Sequence, residues 1–403
     1  MTARLMLIVA AVLLLTPPAR AEQSPQAVSA YFTARSYGPG ETARLAIEGS
    51  AQGVRGAVFH AGPEARATWA PGTMNGVRVP DGRLRFGPHG ATLTVGYWES
   101  GLYFVRLTGP GGRVGFAPFV VRARPLGTSR VAVVLPTNTW QAYNFHDDDG
   151  DGVGNSWYAT PSVHTVELDR PFIDRGVPPH FANYDQGFLR WLAHTDKSAD
   201  FLTDDDLERM SGDRLAALYD LVVFPGHEEY VTPHEYDAVE RYRNRGGNLM
   251  FLSANNFFYR VIRRGTRIER SGRWRDLGRP EARLVGIQYL DWNQRRFRNA
   301  PYVVSDTRAA PWAFARTGLH RGSRFGTYGI EIDARTSASP PGIRVLARVP
   351  DIFGRGRSAE MTYYETRAGA RVFAAGTINF GGTAEWPPVP ALLENLWNRL
   401  VRP

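Results

Sequence analysis

Four unbroken apolar runs constrain this chain most: Val131 to Leu135, Leu221 to Phe224, Leu249 to Leu252 and Val372 to Ala375. Each is too short for a buried helix and lacks the alternation of a half-exposed strand. Each therefore reads as a strand covered on both faces. Between the second and third runs, Thr232-Pro233-His234-Glu235 forms a capping box with proline at the first helical position. Val239 and Tyr242 continue that helix's apolar face, and Gly246-Gly247 stop it. Asp185 to His194 and Asp204 to Met210 are further helix candidates. Strands alternating with helices through tight loops predict an α/β fold with a doubly wound, mostly parallel sheet. Ligands of such a sheet collect beyond the strand ends. The segments there, Pro136 to Asn144, Gly226 to Tyr230, Ser253 to Tyr259 and Gly376 to Gly382, are polar or aromatic. Residues 265–345 read as a mostly β elaboration.

At 403 residues the chain is long enough for more than one domain. Residues 26–124 carry short apolar runs separated by turn signals such as Gly38-Pro39-Gly40, Pro80-Asp81-Gly82 and Gly109-Pro110-Gly111-Gly112. That spacing predicts an immunoglobulin-like β-sandwich. The expected layout is a sandwich over 22–124, a linker at 122–129 and an α/β domain over 129–403. Ahead of these, Arg4, the apolar stretch Leu5 to Leu15, Pro17-Pro18 and Ala19-Arg20-Ala21 match a secretory signal over 1–21. The stretch is too short to span a bilayer, so the mature chain is expected in the periplasm or outside the cell, with no membrane span.

Cysteine is absent. A thiol nucleophile, a disulfide framework, an Fe–S cluster and a thiolate zinc site are therefore excluded. No G-x-S-x-G elbow and no H-E-x-x-H helix is present either, which disfavours serine hydrolase and zinc protease chemistry. Hydrolysis by such a chain points to metal-activated water or paired carboxylates. The net charge of +9 is carried almost wholly by arginine and concentrates between Arg260 and Arg298. Export argues against a nucleic-acid partner for that stretch. Asp147, Asp149 and Asp151, followed by Gly152, match the first half of a calcium loop, although its twelfth position is Tyr158 rather than Glu. His227 and Glu229, two apart after the second apolar run, could project together from one loop.

Several segments taken in order resemble the large-subunit family of N,N-dimethylformamidase. They are Thr137 to Asn144, Gly226 to Tyr230, Gly246 to Asn255, Thr317-Gly318-Leu319, Phe325-Gly326, Glu331-Ile332-Asp333 and Gly376 to Phe380. The resemblance spans roughly residues 98–400. It implies a catalytic domain similar to the class I glutamine amidotransferase fold, with a metal where that fold carries cysteine. It further implies one iron held by Tyr143, Tyr184 and Glu229, with His227, Asn255 and Glu365 as surrounding catalytic residues. Phenolate and carboxylate are hard oxygen donors and favour Fe³⁺ over Zn²⁺. In that scheme Glu365 carries the proton, while Asn255 and His227 donate to the developing oxyanion.

The sequence thus predicts an exported amidohydrolase acting on a small-molecule, non-peptide amide, with a homo-oligomer compatible with it. Two other readings remain at this stage. One is a binding module for carbohydrate or peptidoglycan, using Trp140, Trp157 and Trp191. The other is a calcium-ordered surface protein.

Overall fold

The computed structural model describes residues 27–402, apart from 159, 161, 295, 297 and 309. The expected signal segment, 1–21, lies outside the described residues. The apolar runs form strands Val131–Leu135, Leu221–Phe224, Asn248–Phe251 and Arg371–Ala374. With Asp200–Thr203 at one edge they make five neighbouring parallel strands. Both faces are covered, as unbroken apolar sequence requires. Val131, Val133, Leu135, Val223 and Met250 pack into one core, whereas Ala132, Val134, Val222, Phe224 and Phe251 pack into another on the opposite face.

The sheet does not continue in this way, which corrects the doubly wound, mostly parallel α/β expectation. Beyond Arg371–Ala374 it adds Ala359–Glu365, Arg344–Val349, Asn299–Val304 and Arg324–Gly329, every one antiparallel to its neighbour. The result is a nine-stranded mixed sheet inside a protein dominated by strands. The cause is visible in residues 265–365, where hairpin-connected strands replace strand–helix crossovers. Their register shifts at Ala300/Tyr302 and Val345/Ala347 break the regular alternation. Helices are correspondingly short; Pro233–Asn244 and Val389–Leu400, with 12 residues each, are the longest of those described.

Residues 27–121 form two sheets of four and five strands. Leu45, Val58, Leu93, Val105 and Phe119 fill the core between them. The outer face of the larger sheet is not solvated. Leu102, Phe104, Phe116 and Val120 enter the same core as Val131 and Val133. Ion pairs from Arg35 to Asp169 and Asp205, and from Arg190 to Glu64, reinforce the contact. Among the described residues no helix is long and apolar enough to cross a membrane.

Candidate active site

The carboxyl ends of the parallel strands carry most of the candidate residues. After Val131–Leu135 comes the one-and-a-half-turn helix Thr137–Ala142, and Tyr143 caps its end, with its amide N–H donating to Thr139 O. After Leu221–Phe224 comes the loop Gly226 to Glu229. It can pass this close to its neighbours because residue 226 is glycine; a Cβ there would lie 2.1 Å from Asp185 Oδ1. The loop is tied on both sides. The Glu229 N–H donates to Thr139 Oγ1 at 3.0 Å, Phe257 N–H donates to Glu228 O, and Tyr259 N–H donates to Glu229 O.

Tyr143 Oη donates to Glu229 Oε2 at 2.8 Å. His227 Nε2 lies 3.3 Å from the same carboxylate oxygen and 3.9 Å from Glu331 Oε2. Its ring meets those of Tyr143 and Tyr184 edge-on, at 5.4 Å and 6.4 Å between centroids. The Asn255 side-chain amide lies against both carboxylates, and its backbone N–H donates to Asp333 Oδ1 at 2.8 Å. Asn255 (φ +56°) and Ile330 (φ +68°) are held in left-handed backbone, costly for a side chain and worst for a β-branched one. The strain bends the chain where Asn255 and Glu331 must face inward.

Burial disfavours the charged forms of the carboxyl and phenol groups here, and the charge of Arg270 offsets this only in part at Glu229. Burial raises Glu229 to about 7, and burial plus the charge of Glu229 raises Glu331 to about 8. Tyr143 is pushed well above its usual range by burial and by Glu229. Burial, helped by His180, lowers His227 to about 3, so its imidazole is neutral. Three buried atoms here have no hydrogen-bond partner: His227 Nε2, Asn255 Oδ1 and Glu331 Oε2. A cluster of oxygen donors with raised proton affinities, bordered by orphaned lone pairs, fits a hard cation.

Five of the six residues expected at the centre are therefore brought together: Tyr143, Tyr184, His227, Glu229 and Asn255. Glu365 is not. It ends the strand Ala359–Glu365 opposite Arg371, at the far edge of the sheet, where it is exposed and bonded by Tyr363 and Arg399. Because the strand runs antiparallel, its start and not its end lies on the site's side. The second carboxylate beside the set is instead Glu331, whose Oε2 lies 3.9 Å from His227 Nε2. Its strand, Glu331–Ala334, is docked by the Ile332–Thr377 bridge and by Asp333 N–H donating to Gly376 O. The signal was the motif Glu331-Ile332-Asp333, which gives no hint by itself of which element it pairs with.

One carboxylate oxygen from each of Asp147, Asp149 and Asp151 lies within 4.8 Å of the others, near solvent. Backbone N–H groups of Gly150 and Gly152 donate to Asp147. Tyr158, at the twelfth position, turns away and stacks on Tyr143 at 5.2 Å. Trp140, Trp157 and Trp191 are buried in cores and offer no sugar platform. Within the basic stretch, Arg263, Arg264, Arg267, Arg273, Arg275 and Arg279 each pair with a carboxylate.

Residues 54–390 match the family described as "N,N-dimethylformamidase beta subunit-like, C-terminal". The chain belongs to that family. A curated relative, the N,N-dimethylformamidase beta subunit of Alcaligenes sp., is 24% identical over 285 residues, covering 54% of this chain. The match takes in only 36% of that relative's length. Among solved structures, the M1 domain from titin aligns at 11% identity over 24% of this chain and 91% of its own, with a TM-score of 0.17. A Paenibacillus cycloisomaltooligosaccharide glucanotransferase aligns at 7% identity over 87% of this chain and 68% of its own, with a TM-score of 0.18. Overlaps this low carry no structural argument.

Proposed function

We propose that this chain is an exported hydrolase of non-peptide carboxamide C–N bonds, with one iron held by Tyr143, Tyr184 and Glu229. The observation that carries the reading is the convergence of two phenols, two carboxylates and a neutral imidazole, with three orphaned polar atoms among them. When bound, the ion supplies positive charge that polarises the amide carbonyl and acidifies water. Hydrolysis adds OH to the carbonyl carbon and H to the departing nitrogen. Glu331, rather than Glu365, takes the proton from the attacking water and returns it to that nitrogen. Its carboxyl borders the donor set, with Oε2 3.9 Å from His227 Nε2. Asn255 orients the two carboxylates, and His227, being neutral, offers a hydrogen bond without a competing charge. Burial of the set excludes bulk water and strengthens each of these contacts.

Export rests on the signal-like segment at 1–21. The test is metal analysis and an absorption spectrum of the mature protein, followed by assay of amine release from small amides. About one iron per chain with a tyrosinate-to-iron charge-transfer band is expected. Glu229→Ala should lose that iron while leaving the N-terminal sheets folded; full iron retention would refute the ligand set.

A further inference from the structure

On the other side of the Gly226 to Glu229 loop lies a second set of buried oxygens that the proposed reaction does not use. Asn138, Asp204 and Glu228 follow three neighbouring parallel strands, Val131–Leu135, Asp200–Thr203 and Leu221–Phe224. Their exposures are 0%, 0% and 1%. The Asp204 and Glu228 carboxyl groups meet, oxygen against oxygen. Among the described residues neither they nor the adjoining Glu235 form an ion pair within 4.0 Å with any Arg, Lys or His.

Some of the surrounding lone pairs are satisfied. Asp204 Oδ2 accepts from Thr137 Oγ1 at 2.9 Å and from the Asn138 N–H at 2.5 Å. Glu235 accepts from the Thr232 N–H and from Asn138 Nδ2. Asn138 Nδ2 also donates to Tyr230 O, so both of its neighbours are acceptors and the amide's orientation is fixed. This leaves Asn138 Oδ1, Asp204 Oδ1 and both oxygens of Glu228 buried without partners. A single proton shared by Asp204 and Glu228 would satisfy two of those four atoms and leave the other two orphaned. A cation held between the two carboxyl groups would satisfy more of these atoms than one proton can, and would offset the two charges as well.

We infer that Asp204, Glu228 and the side-chain carbonyl of Asn138 form a second cation site, which takes one hard divalent ion of the calcium or magnesium class. An all-oxygen donor set built on two carboxylates selects such ions over softer metals. Because the donors are fully enclosed, the ion is incorporated as the chain folds. The site depends on these oxygens and not on the iron assignment, so a chain without iron would leave it standing.

The test uses the full chain carrying Asp147→Asn, Asp149→Asn and Asp151→Asn, which removes the exposed acidic loop as a competing site. The protein is unfolded in chelator, then refolded with calcium, with magnesium or with chelator alone, and dialysed. About one calcium or magnesium per chain is expected by elemental analysis. Protein refolded with the ion should melt several degrees above the chelator sample. Adding Asp204→Asn with Glu228→Gln should abolish the bound ion and make melting independent of it. Absence of a bound ion, retention of it by that variant, or equal melting in all three refolded samples would overturn the site. Metal-free protein that gains stability as pH falls would instead establish a shared proton. Should the double substitution prevent folding, the three refolding conditions decide alone.

Discussion

Replacing Arg170 tests how the Asp-rich loop and Tyr143 are held together. Its side chain is 2% exposed, and its guanidinium makes six hydrogen bonds. Nε donates to Gln141 Oε1, Nη1 to His146 O and Asp148 Oδ2, and Nη2 to the carbonyls of Gln141, Asn144 and Asn155. One cation thus joins the helix that ends at Tyr143 to both arms of the loop that ends at Tyr158. Arg170→Met keeps the length of the stem but leaves Asp148 without its buried partner and four carbonyls without this donor. Breaking a buried pair costs about 3–5 kcal/mol. Deprived carbonyls cost about 1–3 kcal/mol each, reduced wherever water enters from the exposed side of the loop. Gln141 O and His146 O keep backbone donors from Asn144 and Asn155, and Asp148 keeps His146, so the loss falls at the low end of these ranges, about 4 kcal/mol. Arg170→Lys, which keeps the charge but not the planar fork, should fall between the two. Urea unfolding followed by far-UV circular dichroism reads the loss directly. A cost under about 1 kcal/mol for Arg170→Met would refute the argument, because the loop would then be held by its own turns.

Further outcomes are expected. Glu331→Gln should lower amide turnover by about 10²–10⁴-fold, the range for losing a general acid–base. Glu365→Gln should leave turnover unchanged, and the reverse pattern in amine-release assays would restore the far-edge carboxylate. His60, stacked on Tyr103 at 4.4 Å, is lowered by burial from 6.5 to about 4. Its native form resists protonation while the unfolded chain accepts it, so its contribution is present above about pH 6.5 and is lost as pH falls toward 4. The slope should be about 1.4 kcal/mol per pH unit, and denaturant titrations of His60→Phe should show that slope removed. Converting Asp147, Asp149 and Asp151 to Asn should lower the melting temperature in calcium; an equal drop in chelator would mean the aspartates act only through their turns.

What the sequence made legible follows from local chemistry. Unbroken apolar runs identify the parallel strands because both faces of each strand are covered. The residues just beyond them, Tyr143, His227, Glu229 and Asn255, then fall at one edge by topology alone. What escaped depends on distant pairing. Whether Glu331 or Glu365 reaches the site turns on strand direction, since Glu365 pairs with Arg371 and Glu331 lies near Thr377. Neither residue's neighbours encode that choice. The mixed character of the sheet was hidden for the same reason. Strands such as Arg344–Val349 carry arginines at positions 344 and 348 and a register shift within, so no simple period marks them. The family match begins at residue 54, well before the parallel strands, so the unit held in common includes part of the N-terminal sheets.

Within that common unit Leu102, Phe104, Phe116 and Val120 share one core with Val131 and Val133. A surface of this kind cannot be cut without leaving a greasy wound on each half. Expression of residues 129–403 alone would present a broad apolar face to water, and such faces recruit whatever covers them, including copies of the same fragment. The N-terminal sheets are accordingly a wall of the unit that carries the nine-stranded sheet and not an appendage to it. Fusions, truncations and library designs should treat the stretch from the first sheet onward as one piece.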